Sequence, residues 1–416
     1  MITYSKTTWG LHLLVRVYGS AFPRSIIFSG ISSAITMALY VTKRPQLLSD
    51  WRHPYPYQIF AVIVGFIVVF RSQLSYGRYW EGRQQLQTMT ARWADFCTEA
   101  LMMDAGTLPA DINPHHQAWS RACWFAETIV HLTSLLHGLA LQHLRSDWDL
   151  ANLTTFHTID PPPPTDAAGL PASMHGTYKA MPIPVIGSVS EPEAIGLGKL
   201  FHAHARKQTG TLINGTDIAP DIGDSFCGSL RGFFISQTGT HVPGASERVS
   251  IAYAWVQQLL QERLRDEGLT LAPPVGSRMW QILSEGYNQF ELCRAIADTP
   301  FPFPWAQMVL VMLILYALSV PLVVVAFVDS TWMGIVVNFI CVQSYWCLNE
   351  VARDLEDPFV YDPNDLPLSR YQYQFNNRIL AAAVARRPAT AYEMTHAEEH
   401  ASSKFTPLLY QAKAAS

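Results

Sequence analysis

The sequence predicts an all-α membrane protein with four transmembrane helices and a helical soluble region. Two observations on composition support this prediction. Hydrophobic residues make up 49% of the 416 residues, and charged residues only 15%, against roughly 25% in an ordinary soluble protein. The third observation is that the uncharged residues are concentrated in four long runs. Because the mean hydropathy is only +0.10, a sizeable part of the chain must be soluble.

The four uncharged runs are the candidate spans. They cover residues 25–42, 54–70, 299–328 and 330–349. A transmembrane helix needs about 20 mostly apolar residues. The third run meets this length, whereas the other three are marginal and are also compatible with buried core helices. We interpret all four as spans, because two lie near each end of the chain and Asp329 leaves only a tight turn between the last two.

The N-terminal segment is basic, since residues 1–49 contain Lys and Arg but no acidic residue. This bias is also found in transit peptides. We favour an amphipathic helix instead, because Trp9, Leu13 and Val17 share one helical face and the first uncharged run follows at once.

The predicted organisation has six segments, and no alternating pattern indicates a sheet. An N-terminal helix and the first two spans occupy residues 1–92, and cytosolic helices follow in 93–145. A Pro- and Gly-rich insertion, interpreted as a long loop, covers 146–245. Further cytosolic helices cover 246–298, the last two spans 299–350, and an acidic hinge with a C-terminal tail 351–416.

The second uncharged run passes into a charged, aromatic segment without a Gly-Pro break. Within it, Val62, Phe66 and Phe70 recur every four residues and share one helical face. Such a stripe can line a dewetted pore constriction. Contact with lipid or with a neighbouring helix is the commoner role of an apolar stripe, and the spacing does not decide between them.

The segment after the last span carries a cluster of carboxylates: Asp354, Asp357, Asp362 and Asp365. Four oxygen donors within twelve residues suit calcium better than zinc or magnesium. The alternative is a solvated helix end paired with Arg353 or Arg370. The chain has no phosphate-binding loop, no GxSxG and no HExxH motif, so we expect it not to be an enzyme.

Two of these segments resemble the signatures of the bestrophins and their bacterial, fungal and algal relatives. The first signature is Phe70-Arg71-Ser72 with residues 76–83, and the second is Asp357-Pro358-Phe359 with residues 362–366. The resemblance covers roughly residues 1–145 and 246–380. It implies a homopentameric ion channel in a lipid bilayer, mostly anion-selective, with chloride or bicarbonate as the permeant ion and no nucleic-acid partner. We expect the plasma membrane, with an organelle membrane such as the thylakoid as the alternative.

The resemblance also implies roles for particular residues. Val62, Phe66 and Phe70 match the apolar neck of the family's pore, where positive phenyl edges favour an anion over a cation. A second, cytosolic aperture precedes the helix expected near Ser277, and Val275 is our candidate for it. The four aspartates match the calcium clasp of animal members, although the animal pattern mixes amides with carboxylates. A pore-less membrane scaffold and a cation-conducting relative stay open as alternatives.

Overall fold

The computed structural model of the chain describes residues 17–42, 53–105, 117–147, 149–160, 162–163, 181–197, 245–269, 272–360 and 364–384. The predicted N-terminal helix lies mostly outside these ranges. Most described residues are helical, in α1 (Phe22–Val41), α2 (Tyr55–Ala105), α3 (Gln117–Leu144), α4 (191–197), α5 (Ala245–Arg265), α6 (Pro273–Asp298), α7 (Phe303–Phe327), α8 (Thr331–Glu356) and α9 (Leu368–Val384). A 3₁₀ turn at Leu150–Asn152 and two short strands, β1 (Leu153–Thr155) and β2 (Ile183–Val185), are the other elements in these ranges.

Four helices in the described ranges, α1, α2, α7 and α8, are long and apolar enough to cross a membrane. The predicted tight turn is confirmed, because α7 ends at Phe327 and α8 begins at Thr331. Helix α2 has 51 residues, or about 76 Å at 1.5 Å per residue. It is therefore more than twice as long as the roughly 30 Å hydrocarbon core, as expected for a helix that continues beyond the membrane.

The chain forms two compact units that divide α2 after Arg83. The first unit comprises Met1–Arg83, Thr165–Gly169 and Ile296–Leu366. Its apolar core is formed by one face of α2, with Val64 and Val68, packed against buried residues of α7 and α8.

A buried polar seam joins α1 to α8 within this unit. The Gln343 Nε2 donates to Ser25 Oγ at 2.7 Å, and Ser29 Oγ donates to Gln343 Oε1 at 2.6 Å. One turn along the same helices, Asn338 Nδ2 donates to Ser32 Oγ at 3.1 Å. The serines that make α1 marginally apolar therefore face α8 and satisfy its amides, as polar groups between transmembrane helices do.

The second unit comprises Gln84–Pro164, Leu170–Ala295 and Pro367–Ser416. A buried ion pair joins α5 to the end of α2, with Arg263 Nη2 2.6 Å from Asp104 Oδ1. Arg145, fully buried after α3, contacts the Asp147 carboxylate at 2.5 Å and donates to the carbonyl of Met181 at 2.6 Å. Arg145 therefore connects the start of the predicted insertion, at Asp147, to Met181, which precedes β2.

The all-α prediction needs a small correction in the insertion. β1 and β2 form a parallel pair in which Leu153 is opposite Ile183 and Thr155 is opposite Val185. Three-residue strands are too short to show an alternating pattern, so periodicity could not predict them. The loop interpretation of 146–245 also omitted α4, which begins at Glu191.

Helix α9 is a second element that the sequence interpretation missed, since residues 351–416 were assigned to a hinge and tail. Its buried residues Leu368, Gln372, Phe375 and Ile379 recur at helical spacing. The polar Gln372 interrupts the apolar pattern because it hydrogen-bonds inside the unit, to His137 Nδ1 at 2.5 Å. A purely hydrophobic periodicity therefore underestimates this helix.

Candidate functional site

The predicted neck residues lie on an uncovered face of α2. Val62 is 70% exposed and Phe66 71%, whereas Val64 and Val68, on the opposite face, are fully buried. Phe70 is 38% exposed. The packing within one chain therefore leaves the stripe available either to lipid or to other copies.

The three side chains form a continuous apolar line. The rings of Phe66 and Phe70 are nearly parallel, at 15°, with centroids 6.3 Å apart. Steps of four residues place the stripe over about 12 Å of helix. Phe70 also packs against Trp305, the third residue of α7, with ring centroids 5.3 Å apart. Sequence reasoning missed this contact, since nothing in the spacing of α7 relates Trp305 to α2.

Beyond Phe70 the face that carries the stripe is mixed, since Leu74 and Trp80 are exposed among polar residues. Gln73, Gly77 and Glu81 continue the same face at helical spacing, and all three are exposed. Glu81 lies eleven residues past Phe70, or about 16 Å along the axis. The face therefore gains exposed polar positions beyond the stripe without becoming wholly polar.

A buried charge follows the stripe directly. Arg71 is only 5% exposed. Its guanidinium donates from Nε to Glu356 Oε1 at 2.8 Å and from Nη1 to Asn349 Oδ1 at 2.7 Å. Its carbon Cζ lies 5.3 Å from the centroid of the Phe301 ring. The arginine that ends the apolar run is therefore neutralised by the end of α8 instead of facing the stripe.

The two signature segments of the sequence, residues 70–83 and 357–366, contact each other in the first unit although they lie some 280 residues apart. A methyl group added at Gly82 would lie 3.0 Å from Phe359 Cζ and 3.2 Å from Pro358 Cγ, so the glycine permits a close approach. Arg78 donates to the carbonyl of Glu356 at 3.0 Å, at the end of α8. The Tyr79 hydroxyl donates to the carbonyl of Asn364 at 3.3 Å.

The acidic hinge is held by an arginine and an amide. Asp354 Oδ2 accepts from Arg24 Nη2 at 2.5 Å and from Asn364 Nδ2 at 3.0 Å. The same amide group donates to the carbonyl of Gly19 at 2.9 Å. The sequence suggested Arg353 or Arg370 as the partner of these carboxylates, but Arg353 pairs with Glu350 at 3.1 Å.

Three of the four hinge aspartates, Asp354, Asp357 and Asp365, lie within the described residues. The Asp357 side chain is 57% exposed and lies 3.8 Å from Arg78, whereas Asp365 is buried. Asp362 lies outside the described residues. Within the described ranges, no group of three or more His, Cys, Asp or Glu residues is placed to hold a metal ion. Calcium binding by all four aspartates stays a prediction.

The candidate aperture residue Val275 lies in the first turn of α6. This helix begins at Pro273, four residues before the expected start near Ser277, because Pro is well suited to the first helical positions. Val275 is 42% exposed. Its role at a cytosolic aperture stays a prediction.

The fold and this site together define a multi-pass, mainly helical membrane protein whose longest helix carries an uncovered apolar stripe. The model of the bacterial and fungal bestrophin family matches residues 1–156 and 222–381. The chain belongs to this family and is an integral membrane protein. Residues 157–221, which include β2 and α4, lie outside the match.

Solved structures support the fold. Two crystal structures of a bacterial bestrophin homologue from Klebsiella pneumoniae superpose with TM-scores of 0.57 and 0.56, at 13% and 14% sequence identity. They cover 87% and 88% of this chain, and 99% and 98% of their own chains. At this identity the likeness concerns the fold.

One curated relative is similar over a shorter stretch. A voltage-dependent anion channel-forming protein of a Nostoc species is 30% identical over 88 residues. The matched stretch spans 21% of this chain and 28% of that relative's length.

Proposed function

We propose that this chain is a passive anion channel for chloride or bicarbonate, in which five copies assemble with α2 around a central pore. Membership of the bestrophin family supports a channel, and the name of the Nostoc relative supports anions. The neck would be formed by three stacked rings of five side chains, from Val62, Phe66 and Phe70.

The observation that carries the proposal is the exposure of the apolar stripe in a chain of the bestrophin family, since Val62 and Phe66 are 70% and 71% exposed. A helix that leaves the membrane becomes more polar on any face, so Gln73, Gly77 and Glu81 fit a pore but do not distinguish it from lipid contact. In a pore, an apolar constriction dewets and closes, whereas polar positions beyond it stay hydrated.

The chemistry of the neck favours weakly hydrated anions. Phenyl edges carry a positive quadrupole that faces a passing anion favourably. Arg71 adds no fixed positive field to the constriction, because Glu356 neutralises it. Selection would therefore depend on how readily the ion sheds water.

Cation conduction is the second candidate, and Glu81 is the observation that favours it. Five copies of this exposed carboxylate would form a negatively charged ring of the type that attracts cations. The two candidates differ in the sign of the reversal potential under a tenfold salt gradient, which approaches about 59 mV for a perfectly selective univalent ion. The purified protein in a planar bilayer provides this measurement.

The Glu81→Gln variant further distinguishes anion conduction from cation conduction. For an anion channel with its selectivity in the neck, the reversal potential keeps its sign and the anion preference is equal or larger. If the carboxylate ring selects cations, the variant loses most of the cation preference. Glu285→Gln, a similarly charge-neutralising change on α6, is the control.

A pore-less scaffold is the alternative of a different class, and oligomer mass separates it from the channel. Five subunits of 46.6 kDa give about 233 kDa for this sequence. A native mass of one subunit in a mild detergent would argue for the scaffold.

Calcium control of the hinge stays a prediction with its own test. The bilayer current is recorded with calcium present and after chelation. A reversible change supports the site of four aspartates. An unchanged current argues against calcium control and agrees with the pairing of Asp354 with Arg24.

A further inference from the structure

The segment that follows β2 is fastened to α3 by a histidine. This segment, residues 187–197, contains α4 and is called the latch segment here. It lies outside the region that matches the family model. Its contact on α3 is His131, which is partly buried within the second unit.

Both ring nitrogens of His131 lie against oxygen atoms. Nδ1 is 2.5 Å from the carbonyl oxygen of Ile186, and Nε2 is 2.8 Å from Glu193 Oε1. A neutral imidazole has a single N–H, so it can donate to only one of these acceptors. The imidazolium form donates to both, and its charge is paired with the Glu193 carboxylate.

The acceptors are themselves fixed in place. Glu193 Oε2 accepts from the backbone N–H of Ser190 at 2.8 Å and from its hydroxyl at 2.6 Å, at the start of α4. Gly187 has a φ of 83°, and a methyl group added there would lie 3.0 Å from His131 Nδ1. The turn between β2 and α4 is thus shaped closely around the histidine ring.

We propose that His131 is a pH-operated latch, which holds the latch segment on α3 in its protonated form and releases it when it loses the proton. The neighbouring contacts of β2 do not titrate. Asn376 Nδ2 donates to the carbonyl of Pro184 at 2.7 Å, and Ser134 Oγ accepts from the N–H of Ile186 at 3.0 Å. Deprotonation would therefore free residues 187–195 and leave β2 paired, whereas Leu197 is fully buried and Gly196 packs closely on Trp255 of α5, so this end of the segment stays attached.

The direction of the pH dependence follows from both partners. Burial lowers the pKa of His131, but the hydrogen bonds to Glu193 and to the Ile186 carbonyl outweigh it, so the pKa is raised. Burial raises the pKa of Glu193, but the bonds from His131 and Ser190 bring it down to about 2.

The contribution of His131 to stability is therefore complete below its unfolded pKa, about 6.5, and is lost as the pH rises through the folded value. The contribution of Glu193 is complete above its unfolded pKa, about 4.3, and is lost only as the pH falls toward 2. The latch is strongest between these limits, in mildly acidic solution.

The charged groups of the latch segment, and the nearest one on α3, preserve this direction. α4 carries Glu191 and Glu193, β2 carries no charge, and the exposed Glu127 lies one turn before His131 on α3. All three carboxylates favour a protonated histidine. The next histidine of α3, His137, does not interfere, because burial lowers its pKa to about 4 and keeps it neutral.

Amide hydrogen exchange of the full-length protein, at pH 6 and pH 8 and corrected for intrinsic rates, tests the latch. We expect the protection of residues 187–195 to fall between pH 6 and pH 8, by at most about tenfold for each unit by which folding raises the pKa of His131. Protection of β1 should not change. His131→Gln should abolish the difference between the two pH values, whereas His157→Gln, at an exposed histidine after β1, should keep it.

A second measurement keeps the proposal testable if His131→Gln does not fold. Exchange of the imidazole Cε1 hydrogen, followed by mass spectrometry, gives the pKa of His131 in the unmodified protein. A value above 6.5 supports the latch. A value at or below 6.5, or an undiminished pH response in a folded His131→Gln variant, overturns it. Neither readout depends on whether the protein conducts ions.

Discussion

Truncation of the two phenyl rings of the neck should open the channel permanently. A phenylalanine side chain removes 150–250 Å² from water when fully buried. With exposures of 71% and 38%, Phe66 and Phe70 present roughly 140 and 75 Å² to the space beside α2. At about 25 cal/mol per Å², wetting these surfaces costs roughly 3.5 and 2 kcal/mol per subunit.

Phe66→Ala with Phe70→Ala keeps only a methyl group at each position and so removes most of this cost. Since 1.4 kcal/mol is a factor of ten, a few kcal/mol per subunit is enough to convert a dry neck into a wet one. We expect a constitutive current in planar bilayers. The matched control is Phe303→Ala, which truncates an exposed ring (62%) at the start of α7.

The Phe70→Ala change also affects packing within the first unit. Phe70 packs on Trp305, so its truncation also removes a contact within the first unit. Thermal unfolding and oligomer mass must therefore match the unmodified protein before currents are compared. Unchanged gating in a correctly assembled double variant would refute the neck assignment.

Two further predictions concern the contacts around the signatures. Gly82→Ala should lower the melting temperature relative to Gly77→Ala. Both substitutions gain up to about 1 kcal/mol of helix propensity. Only the methyl group at position 82 would press on Phe359, because a methyl group at position 77 has nothing within 4 Å. Equal melting temperatures would contradict the close approach. Arg71→Met should destabilise the protein by about 3–5 kcal/mol by leaving Glu356 buried without its partner, and adding Glu356→Gln should recover much of the stability; a double variant no better than the single one would argue against this pairing.

The elements best predicted from the sequence are those whose signal is local. The uncharged runs predicted the positions of α1, α2, α7 and α8, because a membrane span must be apolar along its own length. The four-residue spacing placed Val62, Phe66 and Phe70 on one face, and the structure leaves that face uncovered. Periodicity along α2 does not state what covers the face, so the assignment to a pore rests on the family.

The features that were missed depend on partners distant in the chain. The pairing of Asp354 with Arg24 joins residues 330 positions apart, and sequence spacing favoured nearer arginines. Similarly, the α3 histidines His131, His137 and His143 recur every six residues and share no face, so their spacing indicates no common site. Their roles become visible only when the segment after β2 supplies Glu193 to His131 and α9 supplies Gln372 to His137.

The most direct test of the central claim is whether position 66 faces the path of the ions. In a Phe66→Cys variant, a charged thiol reagent added from the aqueous side should change the bilayer current, because the modified side chain would stand in the pore. The same reagent should leave the unmodified protein and Phe303→Cys unaffected. A Phe66→Cys current that survives demonstrated modification would place the stripe away from the ion path and contradict the account.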